Sequence, residues 1–345
     1  MYQLLCLLPF NVKFINLFAA ALFAALSGCQ SPEPKSTGLE SLSYPAREDA
    51  PVFRALIVGD WGRMGIEPQK ITAQFMTDFA QANPLDFIVS TGDNFYDNGV
   101  TSTTDAHWAG SFEEVYADSA LFAPWYVVLG NHDYRGSIES QMAYRSPNAD
   151  RWKMPAKNYV KTWNQDGITM AIVFINTSPT EDKYYEEEQY RRVWREDSAA
   201  QKKWFRAVMD TLKADYRIVV GHHPLYSGGK RMGAKTQSHL NHWGPLFAQY
   251  RVKTYLCGHE HDLQHIKADL GMGHTLDHVV TGAGSEIRKT GEIQKGAYEG
   301  DRAKTIFSLS ANGFMTLDVH RDAAVATLWS GGQPVHQFTI NPDKP

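Results

Sequence analysis

Three cysteines in 345 residues exclude a disulfide-built scaffold. Cys6 and Cys29 fall in an amino-terminal stretch that reads as a leader, so with Cys29 acylated Cys257 is the only free thiol expected in the mature chain and no internal disulfide can form. Positive charge is not in excess either. The 34 Lys and Arg against 38 Asp and Glu give a net charge of −4, and without a basic bias or a repeat, nucleic acid is not an expected partner. No GxxxxGK[ST] loop, GxSxG elbow or Cys nucleophile motif occurs, which removes the common nucleotide-cradling and covalent machineries. What is present, 43% hydrophobic and 12% aromatic residues, suffices for the core of one globular domain.

Five short runs stand out: GDWG (59–62), GDNFY (92–96), GNHD (130–133), GHH (221–223) and GHEH (258–261). Each follows a short apolar stretch, ALIV (55–58), FIVS (87–90), YVVL (126–129), IVV (218–220) or TYL (254–256), of the kind that forms a buried strand. Gly permits the sharp turn and close backbone approach that a strand-end site requires, and in open α/β sheets ligands gather at the carboxyl ends of strands. A single Gly-Asp pair after a strand is ordinarily just a turn. Five Gly-led clusters of Asp, Asn or His, each behind a strand, predict one shared crevice.

The side chains name its chemistry. Carboxylates, an amide oxygen, imidazoles and a phenol, with no thiolate, favour a hard or borderline cation over a structural zinc. Asp93 can bridge two ions, having two oxygens, and Tyr96, three residues on, is near enough to bind one of them. A phenolate suits ferric iron.

The set, together with YLCGHEHDLQH (255–265) and VVTGAG (279–284), resembles the purple acid phosphatases of the small tartrate-resistant type, within the calcineurin-like metallophosphoesterases, over roughly 53–340. The resemblance implies a ferric ion held by Asp60, Asp93, Tyr96 and His261. It also implies a divalent ion (Fe2+, Zn2+ or Mn2+) held by Asp93, Asn131, His222 and His259. His132 is implied to contact substrate and assist the leaving group, and Asp133 to orient His132 or its loop. The paired cysteines that regulate relatives have no counterpart. A substrate-facing His nine residues after the fourth motif's ligand is replaced by Arg231, in SGGKRMG (227–233), so Lys230 or Arg231 is expected to clamp phosphate. His223, His239 and His242 are alternatives for the missing imidazole, the last two expected on a helix surface.

Charge then dictates mechanism: a ferric and a divalent ion bring about +5, and two carboxylates and a phenolate leave about +2, enough to bind a phosphate dianion with hydroxide as nucleophile. Acid phosphatase activity on small phosphomonoesters, with phosphoproteins as a further substrate class, is the expectation. A phosphodiesterase or nucleotide pyrophosphatase and a non-catalytic metal-binding surface lipoprotein are the alternatives.

The apolar stretch at 16–26 is too short for a spanning helix. Followed by LSGC (26–29), it resembles a bacterial lipoprotein signal with Cys29 acylated, a plain secretory signal being the alternative. Residues 1–10 are apolar where a signal normally opens with positive charge, so a start near Val12 is expected. An exported monomer anchored to the membrane only by lipid follows, with 30–50 as a tether and 51–342 as the catalytic domain. Helices are predicted at 68–81, 199–213 (Trp204, Val208 and Leu212 inward) and 237–250. The charged run 184–197 reads as a solvated helix face or surface excursion. Strands at 314–319, 324–329 and 335–339 complete an α/β (α+β) four-layer fold, two sheets face to face with helices outside.

Overall fold

The computed structural model describes residues 47, 49–271 and 273–343; the expected leader and nearly all of the expected tether lie outside these. The first half runs β1 (Phe53–Val58), α1 (Glu67–Ala82), β2 (Phe87–Ser90), β3 (Trp125–Val127), α2 (Ile138–Ala143), β4 (Trp152–Lys153), β5 (Tyr159–Gln165) and β6 (Ile168–Phe174). The second runs α3 (Ser198–Thr211), β7 (Tyr216–Val220), α4 (Gln237–Gln249), β8 (Thr254–Cys257), β9 (Leu263–Asp269), β10 (Thr275–Thr281), β11 (Ala303–Leu309), β12 (Gly313–Val319), β13 (Ala324–Ser330) and β14 (Gln333–Ile340). Among the described residues no helix is long and apolar enough to cross a membrane.

Two seven-stranded mixed sheets form, in the orders β14-β13-β12-β1-β2-β3-β4 and β11-β9-β10-β8-β7-β6-β5. The central strands β1, β2, β7 and β8 are apolar and buried on both faces because both faces are covered. On β1, Phe53, Ala55 and Ile57 point between the sheets, where they meet Met170, Ile172 and Phe174 of β6 and Ile218 and Val220 of β7. Leu56 and Val58 point the other way, onto Ala73, Met76 and Ala80 of α1. The second sheet turns Val173 and Val219 outward onto Phe205 of α3 and Trp243 and Phe247 of α4. Helix, sheet, sheet, helix is the four-layer fold read from the sequence.

The predicted strand at 126–129 is shorter than its apolar run. β3 pairs with β2 only as far as Ser90 opposite Val127, and the backbone of Val128 then makes the last bond to Ser90. Helix α3 starts on an Asp197 cap that accepts from the Ala199 and Ala200 amides, and it buries Gln201, Phe205 and Met209. The stripe predicted to face inward is thus one residue out of phase: Trp204, Val208 and Leu212 flank the contact half-buried. The charged run forms no helix either. It folds as short 3-10 turns at Asp182–Tyr185, Glu188–Tyr190 and Val193–Arg195 that sink Tyr184, Tyr190 and Val193 into the protein.

Chain direction places the site. β1, β2 and β3 run parallel in the first sheet, and β7 and β8 run parallel in the second. The carboxyl ends of these five strands carry the five motifs. The sheets are joined there by the Gly59 amide donating to the Thr281 carbonyl at 2.9 Å and the Gly284 amide donating to the Gly59 carbonyl at 3.0 Å.

Candidate metal centre

Asp60, Asp93 and His259 adopt positive φ of 57°, 51° and 69°. Such left-handed backbone costs a non-glycine residue on the order of 1–3 kcal/mol and persists where surrounding contacts over-determine it. Here those contacts cross between loops: the His259 amide donates to Asp60 Oδ2 (2.8 Å) and the His132 amide to Asp93 Oδ1 (2.8 Å). Glycine supplies the clearance. A Cβ on Gly130 would overlap Asp93 Oδ1, and one on Gly258 would overlap Asp60 Oδ2.

The donors converge in two groups. In one, the Tyr96 hydroxyl lies 2.8 Å from Asp60 Oδ1, 2.9 Å from Asp93 Oδ2 and 3.1 Å from His261 Nε2. In the other, His222 Nε2 lies 3.1 Å from His259 Nδ1 and 3.3 Å from Asp93 Oδ2. Asp93 Oδ2 therefore stands between the groups. All of these side chains are buried, as is Asn131. Asn131 donates from Nδ2 to the Tyr190 hydroxyl (3.0 Å), which leaves its Oδ1 buried without a partner.

The donor set fits cations. One hydroxyl hydrogen cannot serve both Asp60 and Asp93, so Tyr96 can donate to only one of the two carboxyl groups it touches. Burial, reinforced by the Asp60 and Asp93 charges, pushes the phenol pKa far above its ordinary value. Burial opposes a charge on His222, yet the Asp93 carboxylate, joined by the Asp60 charge and the Thr91 carbonyl, outweighs it and pushes this imidazole up to about 9. His222 Nδ1 faces the Thr91 carbonyl at 2.9 Å and so carries a hydrogen, which aims Nε2 at Asp93. Cations in this space would relieve two buried carboxylates and occupy the free oxygen of Asn131.

His132 stands beside the groups rather than in them. Its Nδ1 donates to the Asp97 carbonyl (2.6 Å), and its Nε2 lies 3.9 Å from Asp93 Oδ2, with the side chain partly exposed. Burial, only partly opposed by Asp93, lowers its pKa. Asp133 does not touch His132. Its carboxylate accepts from the Gly130 amide (2.8 Å), the Asn94 amide (3.1 Å) and Gln141 Nε2 (2.9 Å), so it ties the second and third motif loops together. Burial and then the Asp93 charge raise it to about 7.

Of the two cations in the fourth loop, Lys230 has an exposed side chain. Arg231 is half-buried, with Nη1 donating to the His259 carbonyl at 3.0 Å and lying 3.5 Å from Glu260 Oε2. His223 is a satisfied core residue. Thr177 Oγ accepts from the His222 and His223 amides, so its own hydrogen goes to His223 Nδ1 (2.8 Å), and His223 Nε2 donates to Tyr184 (3.0 Å). His239, expected on a helix surface, is buried instead. It stacks on His223 at 4.5 Å and lies 2.9 Å from Glu181 Oε2. His242 does lie near the surface, between Lys202 (2.9 Å) and Asp182 (3.3 Å).

Sequence reasoning missed Tyr190, Arg135 and Arg63. Tyr190 also accepts from Arg135 Nη2 (2.6 Å), and Arg63 lies over the Tyr96 ring with its guanidinium carbon 3.6 Å from the centroid. The only available signal for Tyr190 was the presence of aromatics within a charge-rich run.

Residues 53–263 match the calcineurin-like phosphoesterase family profile. The chain is 32% identical over 260 residues to human tartrate-resistant acid phosphatase type 5, covering 72% of this chain and 78% of the relative. It is 31% identical over 313 residues to purple acid phosphatase 17 of Arabidopsis thaliana, covering 88% of both chains. Among solved structures, GAP50, described as the anchor in the inner membrane complex of Plasmodium, superposes with a TM-score of 0.68 at 24% identity, over 85% of this chain and 89% of that one, a likeness of fold.

Replacing Gly130 tests whether the crowding around Asp93 matters. Gly130→Ala should keep the far-UV circular dichroism of the wild type but bind fewer metal equivalents by elemental analysis, because its methyl displaces Asp93. Full metal content in that variant would show that the displaced carboxylate is dispensable.

Proposed function

This chain belongs to the calcineurin-like phosphoesterases, and we propose that it works as an acid phosphatase, hydrolysing phosphomonoesters at a dinuclear metal centre. The observation that carries this reading is the position of Asp93 Oδ2, 2.9 Å from the Tyr96 hydroxyl and 3.3 Å from His222 Nε2, as a shared corner of two donor groups. We assign Asp60, Asp93, Tyr96 and His261 to a ferric ion. Asp93, Asn131, His222 and His259 are assigned to a divalent one, Fe2+, Zn2+ or Mn2+. A hard phenolate beside two carboxylates supports the first assignment, and imidazoles with an amide oxygen support the second. Bound ions would acidify a water, neutralise the charge of a phosphate group and hold the two in line.

The rest is done by side chains. His132 keeps Nδ1–H on the Asp97 carbonyl and so presents Nε2 to the substrate side, where a protonated imidazole can give its proton to the departing alkoxide oxygen. Arg231, held beside His259 and balanced in part by Glu260, supplies a fixed positive charge for phosphate oxygens. The buried Cys257 thiol, its pKa raised by burial and then by Asp60, is no nucleophile. The preference for monoesters over diesters and nucleotide pyrophosphates is supported by Tyr96 and by the acid phosphatase relatives.

His132→Ala should lower kcat on an alkyl phosphate by about 10²–10⁴-fold, the usual worth of a positioned proton donor, while both metals stay bound. Loss of metal instead would make His132 a ligand. Faster turnover of a diester than of the matching monoester would favour the phosphodiesterase reading.

For Arg231 the prediction concerns pH. A guanidinium stays charged over the whole accessible range, whereas an imidazole loses its charge as pH rises through about 6.5. Arg231→His should therefore lose kcat/KM on the alkaline side at lower pH than the wild type, and Arg231→Ala should raise KM throughout. Unchanged profiles in both would make Arg231 a loop charge.

We propose further that the chain acts as an exported monomer, lipid-anchored through Cys29, with 51–342 as its catalytic domain and 30–50 as a tether. LSGC after an apolar stretch supports this. Mass spectrometry of the membrane-extracted chain should find Cys29 first and acylated; an unmodified amino terminus at another residue would contradict the anchor.

A further inference from the structure

Arg63 follows the first motif directly, and nothing in its sequence position marks it as functional. Its guanidinium carbon nevertheless lies 3.6 Å from the centroid of the Tyr96 ring, a stacked distance. The group is held on three sides: Nε donates to Ser285 Oγ at 3.2 Å, Nη2 lies 3.1 Å from Glu286 Oε2, and Nη1 lies 3.6 Å from Asp97 Oδ1. The Arg63 side chain is only 13% exposed, whereas those of Asp97 and Glu286 are 73% and 53% exposed. Water therefore screens the two carboxylates more than it screens the cation. Ser285 in turn donates to the Asp60 carbonyl, so the clamp on Arg63 and the loop carrying Asp60 share a partner.

A cation fixed over an aromatic face lowers the energy of the ring's filled π orbitals, and the effect is larger where water is excluded. A ring that is itself a metal ligand passes this on in two ways. Light needs more energy to move an electron from the ring to the ion, and the ring donates less charge to the oxidised ion, which is then easier to reduce. We infer that Arg63 is a positioning residue for the metal centre that acts through Tyr96, holding a guanidinium over the phenolate face to set the colour and reduction potential of the ion that Tyr96 binds. The inference rests on the proposed ferric assignment at Tyr96.

The test is the visible absorbance of the iron-loaded full chain, with metal content measured alongside. Wild type should absorb in the visible and Tyr96→Phe should not; a colourless iron-loaded wild type removes the ferric–phenolate assignment and the inference with it. Arg63→Met keeps the bulk and removes the charge. It should retain iron, absorb at longer wavelength by about 10 nm or more, a displacement in keeping with loss of a partly desolvated cation–π contact, and lose its colour at a lower potential in a reductive titration. Arg63→Lys, charged but not planar, should fall between the two. If Arg63→Met fails to hold iron, Arg63→Gln takes its place. A coloured wild type whose maximum and potential are unchanged in the neutral variant would overturn the role of Arg63 and leave the ferric assignment standing.

Discussion

The Asp93 carboxylate is the constraint on which the rest of the site depends. It is buried, it lies in contact with a phenol, an imidazole and a backbone amide, and beside it sits a second buried carboxylate, Asp60. Taking carboxylates out of water without opposite charge is expensive. The fold accepts that cost by aiming imidazoles and an amide oxygen at the same space. The glycines at 130 and 258 leave room for Asp93 and Asp60, and left-handed backbone at three donor positions turns the side chains inward. Both features serve to hold the donor side chains against one space, which is the arrangement that bound cations would use.

Around that centre lies a ring of residues that orient rather than bind. Tyr190 accepts an amide hydrogen of Asn131 and so turns its Oδ1 inward. The Asp97 carbonyl selects the His132 tautomer, and Asp133 ties the loops on either side of Asp93. Outer partners of this kind set the geometry and basicity of ligands. Arg231 brings its own counterion, Glu260, which lies between two of the imidazole donors in sequence and within 3.5 Å of the guanidinium. The arginine at this position therefore does not stand as an unbalanced charge.

What the sequence disclosed was what is local. A Gly followed by Asp, Asn or His at the end of an apolar strand is a contiguous signal, and with five of them the layered fold and the side chains that meet at its strand ends were readable. What it concealed depends on distant contacts. Tyr190 meets Asn131 across 59 residues and comes from a run whose charges made it look solvated, because irregular 3-10 turns leave no period by which its buried rings could be told from its exposed acids. His239 has helix spacing in common with the more exposed His242, yet it is covered by His223, a neighbour no helical pattern reveals. For Asp133 the sequence offered a role toward His132 or toward the loop; only the folded arrangement of Gly130, Asn94 and Gln141 selects the loop.

Anomalous X-ray diffraction from crystals of the metal-loaded protein addresses the central claim most directly, because it locates ions without reference to activity. The account predicts two peaks on either side of the Asp93 carboxylate, one against Asp60, Tyr96 and His261 and the other against Asn131, His222 and His259. A single peak, or a peak seated among His222, His223 and His259, which also bring three donor atoms together, would contradict it.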